Sequence, residues 1–206
     1  MSSVVEVFAD INCPFTHVGL KRVTAELTKI GSDAQVWVRA WPLEWVNGEP
    51  LDAGGVTTKA EALTKYLGVD DFTGFDPSQW PTSTIPALNL AASGYEVDLD
   101  TGLKVSLELR AELFERGRDV GDPEVLSAIA AKHNLPAPST EASQSIHDDY
   151  AEGQRRGVSG SPHFWASGEE FFCPSLDLGH DSEGHLTAQF DPEGLNNFMA
   201  KLKAAS

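Results

Sequence analysis

The spacing of hydrophobic positions predicts that the chain opens with a strand, a helix and a second strand. Residues 4–9 (VVEVFA) form a short, β-branched and nearly continuous apolar run, which is typical of a buried strand. From Phe15 onward the apolar positions recur at helical spacing, and Gly31 provides a left-handed cap at the end of that helix. Residues 34–40 (AQVWVRA) alternate between apolar and polar and predict a second strand. A helical crossover of this kind normally makes the two strands parallel.

The middle of the chain predicts a block of helices. Residues 42–56 are rich in turn-forming residues and mark a boundary before it. An Asp-Pro-Glu triplet that begins at Asp122 has the composition of a helix start. The predicted helical segments are 58–67, 84–98, 101–117, Pro123 to His133, and 140–156.

Strand signals return after Gly157. The runs HFWA (163–166) and EEFFC (169–173) flank a Ser-Gly pair, which is the signature of a β-hairpin. A second Asp-Pro-Glu triplet at 191–193 predicts the start of a last helix. The predicted order is therefore βαβ, a helical block, and ββα, which places the chain in the α/β class.

Composition and charge limit the kinds of partner that we expect. The chain has 206 residues, a length that suits one domain or one domain with an insertion. Fifteen basic residues stand against 31 acidic ones, for a net charge of −16. A surface this acidic repels phosphate backbones and anionic lipid, so we expect neither a nucleic-acid nor a membrane partner.

The N-terminus and the cysteine count suggest the cellular compartment. We find no basic segment followed by an apolar run at the N-terminus, and no apolar run of membrane-spanning length, so we expect a cytoplasmic protein. Cys13 and Cys173 are the only cysteines of the chain. In a reducing compartment, catalytic or redox use of a thiol is more common than a structural disulfide.

Cys13 is the strongest candidate for chemistry. It lies in INCPFTHVG (11–19), where the first strand gives way to the first helix. The N-terminus of a helix favours an anion, and the thiolate is the nucleophilic form of cysteine. The Thr16 hydroxyl, one turn on, is a candidate donor to that thiolate, and His17 is a candidate proton donor. The alternative is that Cys13 is a small buried apolar residue, which is the usual fate of a free cysteine.

A second motif, GVSGSPHF (157–164), carries Pro162 between a glycine and serine loop and a strand. Such a proline is a common place for a cis peptide bond. A loop held in this way would present the backbone of Ser161 to an extended ligand, in the manner of strand addition.

The two motifs and the closing hairpin and helix together resemble the DsbA-like branch of the thioredoxin superfamily. This branch includes cytosolic disulfide-isomerase-like proteins, 2-hydroxychromene-2-carboxylate isomerases and kappa-class glutathione transferases. The resemblance implies a thioredoxin-like fold (βαβ–ββα) with an all-helical insertion between strands two and three. Residues 1–50 and 157–206 would form the thioredoxin-like domain, and residues 51–156 the insertion.

The resemblance also implies an active site in which Cys13 and Thr16 face a cis-proline loop. The oxidoreductases of this branch carry Cys-x-x-Cys, whereas here Thr16 replaces the second cysteine, so a dithiol mechanism within the motif is impossible. We expect Cys13 and Thr16 to be catalytic. The residues expected to contact the substrate are Pro14, Phe15, Ser161 and Pro162.

Residues after the second hairpin strand offer two further hypotheses. Cys173 is a candidate resolving thiol for Cys13, and the alternative is that it is simply packed in the core. By resemblance to kappa-class transferases, Ser175 and Asp177 are candidates for binding a thiol cofactor. No set of residues completes a metal site by spacing, so no metal is expected.

We therefore predict a cytosolic thiol–disulfide oxidoreductase of DsbA-like type with a monothiol active site. Its substrate would be a disulfide-containing protein or small molecule. No tightly bound cofactor is expected, glutathione or another low-molecular-weight thiol is a candidate co-substrate, and a homodimer is a candidate assembly. Two alternatives are a glutathione-type transferase or isomerase, and a non-catalytic thioredoxin-fold binding protein.

Overall fold

The chain begins with the predicted strand, helix and strand. The computed structural model describes residues 3–204. Strand β1 spans Val4–Ala9, helix α1 spans Pro14–Lys29 and strand β2 spans Gln35–Ala40. β1 and β2 are parallel, with Val4 opposite Gln35 and Ala9 opposite Ala40. This confirms the crossover that the hydrophobic pattern predicts.

Helix α1 forms because its start, its end and its apolar face all agree. Cys13 is the N-cap in an extended conformation, and Pro14 follows at the first helical position, where its missing N–H costs nothing. Leu20 and Val23 are buried along the face that packs on β1. After Ile30 the chain turns at Gly31, which has a positive φ of 63°.

The segment between the second and third strands contains helices, as predicted. Asp52 caps helix α3 (Ala53–Leu67) by accepting from the Gly55 amide at 2.7 Å, so that helix starts five residues before the predicted position. No helix among the described residues 3–204 combines the length and the apolar character needed to cross a membrane. The helices of this segment are α2 (Leu43–Asn47), α3 (Ala53–Leu67), α4 (Ile85–Val97), α5 (Leu99–Phe114), α6 (Pro123–Lys132) and α7 (Gln144–Arg156), with a short 3₁₀ turn at Pro77–Gln79.

The predicted hairpin completes the main sheet. Strand β3 spans His163–Ala166 and strand β4 spans Glu169–Phe172, and the two are antiparallel. β3 also pairs antiparallel with β1, where Val7 lies opposite Phe164. The strand order is β2-β1-β3-β4, and the chain closes with helix α8, Pro192–Ala204. The βαβ–ββα order with a helical insertion is thus present.

A second, two-stranded sheet was not predicted. Strands β5 (Leu176–His180) and β6 (Leu186–Phe190) form an antiparallel pair between β4 and α8. The pair packs against α3, and its buried residues Leu176 and Ala188 join the same apolar cluster as Leu63. The division into two parts at residues 51 and 156 remains a prediction, and this cluster crosses it.

Helix α7 approaches the sheet closely through a glycine. A methyl group added at Gly153 would lie 2.5 Å from the Trp41 ring and 3.1 Å from the Phe8 ring. Both rings are buried, so neither has open space to move into. Close packing of α7 on the sheet therefore requires glycine at this position.

We expect Gly153→Ala to lower the free energy of unfolding by about 1–3 kcal/mol, because the added methyl overpacks the Trp41 contact. Gly55→Ala is the matched control, since Gly55 lies exposed in a helix and meets only the Asp52 carboxylate at 3.5 Å. The control should be neutral or slightly stabilising because alanine favours helix. Urea unfolding measures both changes, and a Gly153→Ala protein as stable as the parent would contradict the close contact.

Candidate active site

Cys13 is the N-cap of helix α1. Its carbonyl accepts the first helical hydrogen bond, from the His17 amide at 3.1 Å. The Cys13 side chain makes no capping hydrogen bond, and the first turn of the helix contains no acidic residue. The amides of the first turn have no partner within the helix, and their partial positive charge favours an anion. A thiolate at Cys13 would receive this stabilisation.

The Cys13 sulfur contacts the loop that precedes β3. Its thiol donates to the carbonyl oxygen of Ser161 at 3.0 Å, and only 3% of Cys13 is exposed. A carbonyl oxygen can only accept, so this contact holds the protonated thiol. An extended ligand that pairs with the same carbonyl would compete with the thiol proton.

Thr16 has a different partner from the expected one. The sequence analysis expected its hydroxyl to donate to the Cys13 sulfur, but Thr16 Oγ1 lies 2.8 Å from Ser161 Oγ, and no hydrogen bond joins Thr16 to Cys13 in the described part of the chain. Ser161 Oγ also accepts from the Asp10 amide at 3.1 Å. Thr16 therefore fixes the position of the loop that contacts the thiol.

The loop around Pro162 contacts both cysteines. The Ser161–Pro162 peptide is cis, and the Pro162 carbonyl accepts from the Cys173 amide at 3.3 Å. The two cysteines therefore contact consecutive carbonyl groups, and both are free thiols. Burial, with a smaller contribution from the charge of Cys13, raises the pKa of Cys173 far above its usual value. Cys173 is thus a protonated thiol in this conformation.

The two candidate cofactor residues lie in different surroundings. Ser175 is buried beside α1: a methyl group on Gly19 would lie 3.5 Å from Ser175 Oγ and 3.8 Å from the Pro162 ring. Its hydroxyl oxygen has no hydrogen-bond partner in the described part of the chain. Asp177 is exposed on β5 and accepts from Gln189 at 2.7 Å. Ser175 therefore lies close to the Pro162 loop, whereas Asp177 is engaged within the small sheet.

Pro14 and Phe15 form the start of α1 next to the thiol. Pro14 is buried, whereas Phe15 is half-buried and packs against the core of the helical insertion. Cys13 is also buried, so access to its sulfur is narrow.

The His17 ring packs in an aromatic cluster. It lies between Phe72 and Phe114, at centroid distances of 5.7 and 5.2 Å. Burial, reinforced by the positive charge of Lys21, lowers the pKa of His17 to about 4. The imidazole is therefore neutral near pH 7, and its surroundings do not support the expected role as a proton donor to the site.

Three side chains of metal-ligating types lie close together at α1, which carries one of them. The ligand atoms of His17, Asp71 and Glu115 lie within 4.8 Å of one another. The ammonium group of Lys21 already bonds to both carboxylates, at 2.8 Å to Glu115. The Lys21 ammonium supplies the positive charge that a metal ion would otherwise bring to the two carboxylates. The cluster is therefore an ion-paired group that needs no metal.

Two buried charged residues next to the site escaped the sequence analysis. The Asp10 carboxylate accepts from the amides of Ile11 and Leu43, both at 2.6 Å, and the Asp10 carbonyl accepts from Arg110 Nη2 at 3.0 Å. Burial raises the pKa of Asp10. Both residues are 0% exposed, and together they fix the loop between β1 and Cys13. In each case the sequence offered one signal, a charged residue inside an apolar pattern: Asp10 lies directly after β1, and Arg110 lies within α5.

Comparison with known proteins identifies a family. A family model described as the DSBA-like thioredoxin domain matches residues 4–180. No curated protein sequence matches the chain.

Solved structures share the fold at low sequence identity. A putative protein disulfide isomerase from Nitrosomonas europaea superposes with a TM-score of 0.62 at 14% identity, covering 100% of this chain and 99% of that one. The cytosolic disulfide reductase DsbM from Pseudomonas aeruginosa superposes with a TM-score of 0.60 at 15% identity, covering 98% of this chain and 100% of that one. The structure of the same reductase with GSH superposes with a TM-score of 0.54 at 15% identity, covering 98% of both chains. A 2-hydroxychromene-2-carboxylate isomerase superposes with a TM-score of 0.58 at 12% identity, covering 82% of this chain and 88% of that one.

We expect Ser161→Ala to lower the free energy of unfolding by about 1–3 kcal/mol, because it leaves the Asp10 amide and the Thr16 hydroxyl buried without a partner. Ser159→Ala, in the same loop with an exposed side chain, should cost less than about 0.5 kcal/mol. In a double-mutant cycle with Thr16→Val, the combined loss should be smaller than the sum of the single losses. Strictly additive losses in denaturant unfolding would argue against the Thr16–Ser161 bond.

Because the pKa of His17 is lowered, we expect the free energy of unfolding to fall in acid. Its folded pKa of about 4 lies below the ordinary value of 6.5, so the unfolded chain takes up the proton first. The contribution of neutral His17 is complete above about pH 6.5 and is lost as the pH falls towards 4, by about 3 kcal/mol in total.

The measurement is the free energy of unfolding from pH 4 to 8, for the parent and for His17→Phe. The variant should lack this component of the pH dependence. His185→Gln, which removes an imidazole that is 69% exposed, is the control and should keep it. A His17→Phe curve parallel to that of the parent would show that His17 does not titrate in this way.

Proposed function

The chain belongs to the DSBA-like thioredoxin domain family, and we propose that it is a thiol–disulfide oxidoreductase that works with the single thiol of Cys13. The observation that carries the proposal is the position of the Cys13 sulfur. It lies at the uncapped N-terminus of α1 and 3.0 Å from the carbonyl of the residue before cis-Pro162. The helix end favours the thiolate, and the loop offers a main-chain partner for a substrate.

The reaction consists of two exchange steps. The Cys13 thiolate attacks one sulfur of a substrate disulfide, so the Cys13–substrate bond forms as the substrate S–S bond breaks and a substrate thiolate leaves. A second thiolate then attacks the mixed disulfide. The attacking sulfur bonds to the substrate sulfur as the Cys13–substrate bond breaks, so the new disulfide leaves and Cys13 is released as a thiolate. No net oxidant is required beyond the substrate disulfide itself.

The second thiol comes from solution in this proposal. Thr16 replaces the second cysteine of the motif, and its hydroxyl is bonded to Ser161. Cys173 is buried and its raised pKa keeps it protonated, which makes it a poor attacking group. A low-molecular-weight thiol such as glutathione meets the requirement, as a co-substrate rather than a tightly bound cofactor. The similarity in fold to a disulfide reductase solved with GSH supports this choice.

The narrow access to Cys13 limits the substrate. With 3% of Cys13 exposed, we infer that it reacts with a small disulfide or with an extended, exposed segment of a protein. Pro14, Phe15, Ser161 and Pro162 are proposed to contact it. A reducing compartment such as the cytoplasm would keep the thiol in its active form. A homodimer remains a prediction.

A second candidate function is a glutathione-dependent transferase or isomerase. The observation that favours it is the buried, unpartnered hydroxyl of Ser175 close to the Pro162 loop. In that case Cys13 or Thr16 would orient a cofactor thiolate, with Ser175 and Asp177 as candidate contacts. The third alternative, a non-catalytic binding protein, has no separate observation in its favour.

The test measures reduction of a glutathionylated peptide by glutathione, coupled to glutathione reductase. We expect Cys13→Ser to fall to the uncatalysed rate, because the nucleophile is lost, and the matched Cys173→Ser to retain the parent rate. Mass spectrometry of the parent under limiting glutathione should show the mixed disulfide on Cys13.

Other outcomes would overturn the proposal in distinct ways. If Cys173→Ser accumulates the mixed disulfide on Cys13, Cys173 is the resolving thiol. If Cys13→Ser keeps full turnover of an electrophilic aromatic substrate with added glutathione, the transferase or isomerase holds. If neither activity is found and Cys13 reacts with iodoacetamide no faster than an unperturbed thiol, the non-catalytic alternative holds.

A further inference from the structure

A cavity lies apart from the thiol, between strand β2 and the helical insertion. Its volume is about 420 Å³, and helices α4, α5 and α7 form its other walls. Trp37, Leu88 and Tyr95 supply much of its apolar surface, and Cys13 is not among its lining residues. A cavity of this size, lined by apolar side chains together with hydroxyl and charged groups, is suited to a small-molecule ligand.

Arg110 lines this cavity and is 0% exposed. It donates to the carbonyl and hydroxyl of Ser106 at 2.9 and 2.5 Å and to the Asp10 carbonyl at 3.0 Å, all of which are neutral acceptors. No carboxylate pairs with Arg110 among residues 3–204: those of Asp10 and Asp149 accept from other groups. Burial lowers the pKa of Arg110 to about 10, against the attraction of nearby groups that include the Asp10 carboxylate. The guanidinium therefore stays charged at neutral pH, with no carboxylate hydrogen-bonded to it among residues 3–204.

The free donors of Arg110 have the arrangement that a carboxylate requires. A guanidinium has five N–H groups, and the bonds to Ser106 and Asp10 use two on Nη1 and one on Nη2. The Nε donor has no partner in the described part of the chain, and one Nη2 donor also remains. These two nitrogens lie side by side on one edge of the guanidinium plane, which is an edge that binds both oxygens of a carboxylate.

We propose that this cavity binds a small apolar monocarboxylate, with its carboxylate on Arg110 and its apolar body against Trp37, Leu88 and Tyr95. The ligand would supply the carboxylate acceptor that the free donors of the buried guanidinium lack. The limit to one charge follows from the acids Glu96, Asp148 and Asp149, which also line the cavity and would repel a second carboxylate.

The site does not depend on the chemistry of Cys13. Arg110 contacts the carbonyl of Asp10, three residues before the thiol, but the cavity lies on the side of β2 and α7. Binding should therefore be equal in the parent and in Cys13→Ser. This comparison separates a failure of the carboxylate site from a failure of the proposed oxidoreductase.

The test uses phenylacetate as the probe and phenylacetamide as its uncharged isostere, each titrated into the full chain by calorimetry. Phenylacetate should bind saturably and raise the midpoint of thermal unfolding, whereas phenylacetamide should bind about tenfold more weakly or not at all. Equal binding of the two probes, or binding of neither, would overturn the proposal.

Two variants locate the site. Ala92→Leu adds bulk to the cavity wall without touching the hydrogen bonds of Arg110, and it should abolish phenylacetate binding. Ala151→Leu, on the exposed face of α7, is the matched control and should bind as the parent does. Arg110→Gln should lose the preference for phenylacetate over phenylacetamide, and Ala92→Leu provides the decisive result if Arg110→Gln does not fold.

Reduced glutathione is titrated in the same way, because it also carries carboxylates. If glutathione displaces phenylacetate and its binding is lost in Ala92→Leu, the cavity belongs to the thiol co-substrate, and the proposal of a separate monocarboxylate site is overturned. If phenylacetate binding survives in Ala92→Leu, the ligand lies elsewhere and the proposal also fails.

Discussion

The candidate active site depends on a buried serine that joins two distant parts of the chain. Ser161 accepts from the Asp10 amide, pairs with the Thr16 hydroxyl, and receives the Cys13 thiol on its carbonyl. These contacts connect the end of β1 and the start of α1 to a loop about 150 residues later in the chain. All are buried, so losing one would leave polar groups without water or partner. The relative position of thiol and cis-proline loop is therefore held by hydrogen bonding as well as by the sheet.

The same network also contacts the Cys13 thiol itself. The resting Cys13 proton is bonded to a carbonyl, while the helix end offers stabilisation only to the anion. A ligand that pairs with the Ser161 carbonyl would remove the first contact and leave the second. Nearby, the structure buries Arg110 and Asp10 around the loop before Cys13, so that loop is fixed by charged as well as apolar contacts.

Much of the fold could be predicted because local patterns agree with the tertiary structure. β1, α1, β2 and the closing hairpin follow from short-range periodicity and caps. The pair β5–β6 was missed although LDLGH and LTAQF alternate between apolar and polar residues, since each run is only five residues long and packing against α3 stabilises the pair. The start of α3 was placed late because glycines follow the Asp52 cap. Both errors arose where a tertiary contact or a single cap outweighs average propensity.

The sequence by itself determined that Cys13 begins a helix and that no second thiol lies in its motif, since both are properties of adjacent residues. Only the tertiary structure decided what each polar group contacts. The Thr16 hydroxyl pairs with Ser161, the His17 ring packs in an aromatic cluster, and Arg110 lines a cavity with no carboxylate hydrogen-bonded to it among residues 3–204. Helical spacing fixes the side of the helix on which a residue lies, but its partner comes from elements that are distant in sequence. That pairing is set by the packing of the whole chain.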